Sequence, residues 1–119
     1  MIHRLNDQPI ELRDQMRGGT GTTRVQALFP PEAFGAAVRL CARLTLPPGA
    51  SIGPHRHEGE DEVYVIVRGE GLLTDDAGTS RVGPGDAVLT GRGASHSLAN
   101  TGADPLELTA FIVRYPAAG

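Results

Sequence analysis

Between Val38 and Leu46 the chain alternates: Val38, Leu40, Ala42, Leu44 and Leu46 fall on one side, and Arg39, Cys41, Arg43 and Thr45 on the other. A period of two marks a half-buried strand, so the first set is read as core. Whether the arginine side meets solvent, a partner subunit or a pocket mouth stays open. Residues 106–115 are apolar on both faces, with Leu106, Leu108, Ala110 and Ile112 against Phe111, Val113 and Tyr115. A strand of that kind needs cover on two sides. Shorter apolar runs predict strands at 25–29, 63–67, 72–74 and 87–90, and a further strand carries His96 and ends at Asn100-Thr101-Gly102. Glycine and proline punctuate the intervals, and Pro30-Pro31-Glu32 opens a single helical turn through Phe34. The pattern predicts an all-β chain with tight turns.

Residues 1–24 are polar and read as an arm or short edge strand leading into the glycine loop MRGGTGTTR. Arg17 and Arg24 flank that loop and suit an anion, but no strand-then-helix context supports a phosphate loop. A plain turn before the first barrel strand is the other reading. His3, in the same polar segment, reads as a solvated residue.

Length bounds the answer to one domain, because 119 residues bury a real core and leave no room for a second. All 11 basic residues are arginine, so Schiff-base chemistry and a lysine-anchored cofactor are excluded. A net charge of -3 without a basic block argues against nucleic acid. The single Cys41 forms no intrachain disulfide and reads as a small buried hydrophobe. No apolar run approaches a membrane span or a signal-peptide core, so no membrane partner and a cytoplasmic location are the expectations.

The chemistry gathers in GASIGPHRHEGEDEVYVIVRG, residues 49–69, where His55, His57 and Glu62 lie within eight positions. Side chains two apart on an extended chain share a face, so the two histidines reach one ion. Glu58-Gly59-Glu60-Asp61 is read as the turn of a hairpin returning through 63–67, its acids as a charged tip. By strand period Tyr64 and Ile66 point the way Glu62 does. A fourth donor, His96, stands in VGPGDAVLTGRGASHSLAN after a second glycine-punctuated hairpin. Three imidazoles and one carboxylate suit one divalent transition ion, Fe, Mn, Ni, Cu or Zn, without choosing among them.

These two stretches resemble the paired motifs of the cupin superfamily, G-x5-H-x-H-x4-E-x6-G and G-x5-P-x-G-x2-H-x3-N. Gly49, His55, His57, Glu62 and Gly69 fill the first; Gly85, Gly93, His96 and Asn100 fill the second, with Gly91 where the family usually has proline. The departure removes a stiff turn residue and no ligand. The resemblance implies a single-domain antiparallel double-stranded β-helix, a jelly-roll-like barrel over 25–119, with 1–24 as the arm and glycine loop. It also implies His55, His57, Glu62 and His96 as metal ligands, Asn100 as a structural residue, and a homodimer.

Similar small cupins are described as oxalate-decarboxylase-like, and the superfamily holds dioxygenases, sugar isomerases, decarboxylases and binding proteins. Its oxalate decarboxylases use two domains and a mobile lid glutamate, neither of which can be placed here. Glu62 argues against the cysteine dioxygenase branch. The leading expectation is therefore a metal-dependent dioxygenase, lyase or isomerase acting on a small oxygen-rich molecule. Tyr64, as the candidate catalytic residue, would orient the substrate or relay a proton. The alternative is a non-catalytic module that binds a small molecule or sugar at the same metal.

Overall fold

The computed structural model describes residues 1–117. Its strands are β1 (Ile10–Asp14), β2 (Thr22–Ala27), β3 (Val38–Leu46), β4 (Ser51–Arg56), β5 (Glu60–Arg68), β6 (Gly71–Asp75), β7 (Gly78–Val82), β8 (Ala87–Gly91), β9 (Ser95–Ala99) and β10 (Leu106–Arg114). Three 3-10 turns, Leu5–Asp7, Met16–Gly18 and Pro31–Ala33, complete the regular structure. No helix among the described residues is long and apolar enough to cross a membrane.

Two antiparallel sheets face each other, one in the order β1-β2-β3-β10-β5-β8 and the other β4-β9-β6-β7. Strand register stacks the inward residues of the larger sheet into rows. Val25, Leu44, Leu108 and Ile66 make one row, Ala42, Ala110, Tyr64 and Val88 the next, and Leu40, Ile112, Glu62 and Thr90 the third. Only the third row carries polar groups on adjacent strands, which sets the chemistry at one end of an otherwise apolar core. Ile52, Leu73 and Leu98 close that core from the smaller sheet.

The structure corrects several local expectations. Neither ligand-bearing segment is a hairpin: β4 pairs with β9 while β5 pairs with β10 and β8, so the 57–59 turn crosses between sheets, as does the 92–94 loop. β7 has no apolar alternation to announce it, since only Val82 is buried; it forms the true hairpin with β6. Of the two readings of residues 1–24, an arm or a short edge strand, the edge strand is the one found: the segment supplies β1 and the start of β2. β10 lies between β3 and β5, and its inward residues meet the opposite sheet. The outer face of β5 exposes Val65 and Val67. His3 is not simply solvated: its ring reaches the carbonyls of Leu28 (2.6 Å) and Asp7 (3.0 Å) and lies against Phe29.

Asn100 shows why the motif ends where it does. Its amide nitrogen donates to the carbonyls of Leu46 (2.8 Å) and Asp104 (2.9 Å), and its Oδ1 accepts the Gly102 N–H (2.9 Å). One buried side chain thereby ties the end of β3 to the turn after β9. Removing it strands buried backbone acceptors, each worth about 1–3 kcal/mol when unsatisfied. Asn100→Ala is expected to lower the unfolding free energy by about 2 kcal/mol in urea titrations while leaving metal content unchanged. Loss of metal without loss of stability would contradict the structural role.

Candidate metal centre

His55 stands on β4, His57 just beyond it, Glu62 on β5 and His96 on β9, so the four donors come from both sheets. Their assembly depends on a β-bulge. Ile52 pairs with Leu98 and His55 with His96, so two residues of β4, Gly53 and Pro54, stand against one of β9, Ser97. Without the extra residue, Ile52 and His55 would face opposite sides; with it both point inward.

The donor atoms converge on one point. His96 Nε2 lies 2.9 Å from His55 Nε2, 3.0 Å from His57 Nε2 and 2.9 Å from Glu62 Oε1. Glu62 Oε1 is also 2.9 Å from His57 Nε2 and 3.8 Å from His55 Nε2. Ligands at right angles around an ion with bonds of about 2.1 Å are about 3.0 Å apart, which four of these separations match. The side chains are 9% (His55), 1% (His57), 4% (Glu62) and 1% (His96) exposed, so His55 marks the side nearest solvent.

The outer hydrogen bonds decide which ring nitrogen faces inward. His55 Nδ1 donates to the Gly53 carbonyl (2.8 Å), and His57 Nδ1 donates to the Glu60 carboxylate (2.6 Å). Both partners only accept, so Nδ1 holds the proton and Nε2 presents a lone pair. His96 Nδ1 is placed the same way against the Thr90 hydroxyl (2.8 Å). Two lone pairs therefore face a carboxylate, joined by a third where the Thr90 hydroxyl accepts from His96, and Glu62 Oε1 is buried without a hydrogen-bond partner. Acceptors crowded together repel unless a cation lies among them, and the donor set fits a divalent transition ion.

Electrostatics keep these groups in the required forms. Burial works to raise the Glu62 carboxyl, and positive charge at the facing nitrogens of His55, His96 and His57 outweighs it and holds it at about 2; with those nitrogens unprotonated, a cation among them would supply that charge. Burial pushes the His96 imidazole below its usual range, favouring the neutral ring. The Arg39 guanidinium holds Glu60 below the usual carboxylate range, through bonds of 3.0 and 2.8 Å. Glu60 is thus no charged tip. The parity that sends Glu62 inward sends Glu60 inward too, and the signal was present in the sequence. Arg39 had no such signal: the β3–β10 register skips it, and this second bulge takes it out of the alternation.

Tyr64 stacks on His96 at 4.8 Å and 16° and is buried. Burial foremost, and then Glu62, pushes its phenol well above the usual range, so it keeps its proton at neutral pH. Gly91, where the resembled motif has proline, is fixed by a close approach: a Cβ there would run into Asp61 Oδ1. Asp61 accepts the Tyr115 hydroxyl, whose oxygen accepts the Arg92 N–H (2.9 Å). This clamp holds the loop leading to His96, where a proline would otherwise stiffen it.

His96→Ala is expected to abolish stoichiometric metal in elemental analysis of untagged protein. Glu60→Gln retains a hydrogen-bonding shape but loses the charge that orients His57, so metal affinity is expected to fall about 10- to 100-fold in chelator competition. Unchanged affinity in Glu60→Gln would remove Glu60 from the account.

A cupin domain family profile matches residues 42–113. The oxalate-binding protein of Thermotoga maritima is 42% identical over 113 residues, covering 95% of this chain and 93% of that protein. The crystal structure of a predicted oxalate decarboxylase from the same organism superposes with a TM-score of 0.91 at 41% identity, covering 96% of this chain and 99% of the other. A polyketide cyclase from Streptomyces resistomycificus shares the fold alone, with a TM-score of 0.76 at 22% identity over 98% and 81% of the two chains. Profile and close relative agree with the two ligand motifs: the chain belongs to the cupin family.

Proposed function

We propose that this protein binds a small oxygen-rich anion of the oxalate class at a single divalent transition metal held by His55, His57, Glu62 and His96. One observation carries the reading: the partnerless Glu62 Oε1 among three inward imidazole nitrogens. The oxalate-binding relative, similar along nearly the whole chain, supports the ligand class. A metal held there would attract the anion's oxygens as a Lewis acid. The residues do the rest: Glu60, Gly53 and Thr90 hold the rings, and the apolar rows beneath keep bulk water from the donors. Glu60 is committed to Arg39 and His57, and Tyr64 keeps its proton, so neither is a ready general base.

Catalysis of the dioxygenase, lyase or isomerase kind is the second reading. Tyr64 favours it, because a buried phenol stacked on a ligand ring is placed to orient a substrate or pass on a proton. Calorimetric titration of oxalate into metal-loaded and chelator-treated protein separates the possibilities. Saturable binding only in the loaded form, with oxalate and dioxygen unconsumed over hours, is the expected result. Equal binding in both forms would sink the metal-dependent reading, and steady loss of oxalate would favour the enzyme.

The homodimer is proposed on the outer face of the larger sheet. Cys41, Phe111, Val63 and Leu89 lie side by side across β3, β10, β5 and β8, and Leu89 is 71% exposed. A second copy related by a two-fold axis covers such a self-complementary row. Leu89→Glu is expected to convert a dimer to a monomer in sedimentation velocity; a monomeric wild-type protein would end the proposal.

A further inference from the structure

Three outer partners hold the imidazole rings, and one of them differs in kind. His55 leans on the Gly53 carbonyl and His96 on the Thr90 hydroxyl, both neutral, whereas His57 Nδ1 meets the Glu60 carboxylate at 2.6 Å. That charged partner is itself gripped by a guanidinium. Arg39 Nε donates to Glu60 Oε1 (3.0 Å) and Arg39 Nη2 to Oε2 (2.8 Å), and Oε2 is the same oxygen that meets His57.

Among the described residues this pair is less exposed than the other arginine ion pairs, Arg13 with Glu11, Arg43 with Glu107 and Arg56 with Glu58. The Arg39 side chain is 31% exposed and that of Glu60 12%. Water and salt screen an exposed pair, but charges drawn into the polar end of a barrel are felt by their neighbours. The backbone builds the contact. Leu40 pairs with Ile112 and Val38 with Val113, so Arg39 stands unpaired in the bulge, and its side chain crosses β10 to reach Glu60 on β5.

A balance of charge is the task that fits. Glu62 is the one carboxylate among the four donors, so a divalent ion held there would keep a net positive charge. Glu60 brings a negative charge to the far side of the His57 ring, which by itself would oppose an incoming anion. A guanidinium is always charged and offsets Glu60 with two parallel bonds. We infer, on the anion-binding reading given above, that Arg39 sets the preference for anions by offsetting Glu60, so that His57 keeps a firm carboxylate partner while the centre keeps its positive charge. Arg39 acts on the ligand through charge and needs no contact with it.

The test uses Co(II)-loaded full-length protein titrated with oxalate and, separately, with imidazole as a neutral metal ligand. Wild type, Arg39→Met, Arg39→Lys, Glu60→Gln and the Arg39→Met/Glu60→Gln double variant are compared at equal cobalt occupancy. Arg39→Met is expected to weaken oxalate binding about tenfold with imidazole unchanged, and Glu60→Gln, which leaves Arg39 unopposed, to tighten oxalate binding. Arg39→Lys retains most of the affinity, and the double variant recovers most of the loss because charge is balanced again. Unchanged oxalate affinity in Arg39→Met overturns the inference, as does a parallel loss of imidazole, which a merely structural role would give. Should Arg39→Met fail to fold, the double variant decides: oxalate affinity about tenfold below wild type there overturns the inference. Wild-type protein that takes up cobalt and binds imidazole but not oxalate overturns the anion-binding reading and this inference together.

Discussion

Glu62 Oε1 and three imidazole nitrogens meet at separations near 3 Å with no proton to share. Four acceptors in one buried place repel each other, and little of the barrel is arranged independently of that conflict. A hydrogen bond at each outer ring nitrogen holds the ring in place, and those bonds draw on Gly53, Glu60 and Thr90 from three different strands. Glu60 in turn needs Arg39, because a partly buried carboxylate beside an imidazole requires a countercharge to stay ionised. A cation there would turn mutual repulsion into common attraction.

The crossing of the chain between sheets gives this centre a mechanical role. His57 and Glu62 are five residues apart, yet Glu62 belongs to the larger sheet while His55 and His96 belong to the smaller. An ion bound by all four ties the two layers together at the end where polar groups replace apolar rows. The opposite end is closed differently, by the amide of Asn100 and the aliphatic rows around Leu46 and Leu106. One barrel is thus held at one end by charge and at the other by hydrogen bonds and packing. The polar end is the one that leaves a buried acceptor, Glu62 Oε1, without a partner in the protein.

Substitution at one motif position illustrates how a family pattern is kept by other means. With Gly91 in place of the usual proline, Asp61 occupies the space a side chain would take, and Tyr115 links it to the Arg92 backbone. Stiffness that proline builds into the chain is supplied here by a contact between the start of β5 and the end of β10. The loop before His96 remains defined.

Much of the site was legible without coordinates, because the information is local. Alternation of Val38 to Leu46 assigned a core face, and the spacing of His55, His57, Glu62 and His96 named donors that the structure brings together. Parity placed Glu62, Tyr64 and Ile66 inward. Period and spacing say which way a side chain points; they do not say which strand lies beside it. The chain therefore read as two hairpins where the fold has two crossings, and β7 passed unseen because an exposed strand has no apolar period. The bulges that turn His55 inward and free Arg39 for Glu60 exist only against β9 and β10, so pairing decided them. The docking of the glycine loop on β4 was likewise beyond reach, since residues some thirty positions apart meet there through hydrogen bonds of Thr20, Ser51 and Gly49 that no apolar period encodes.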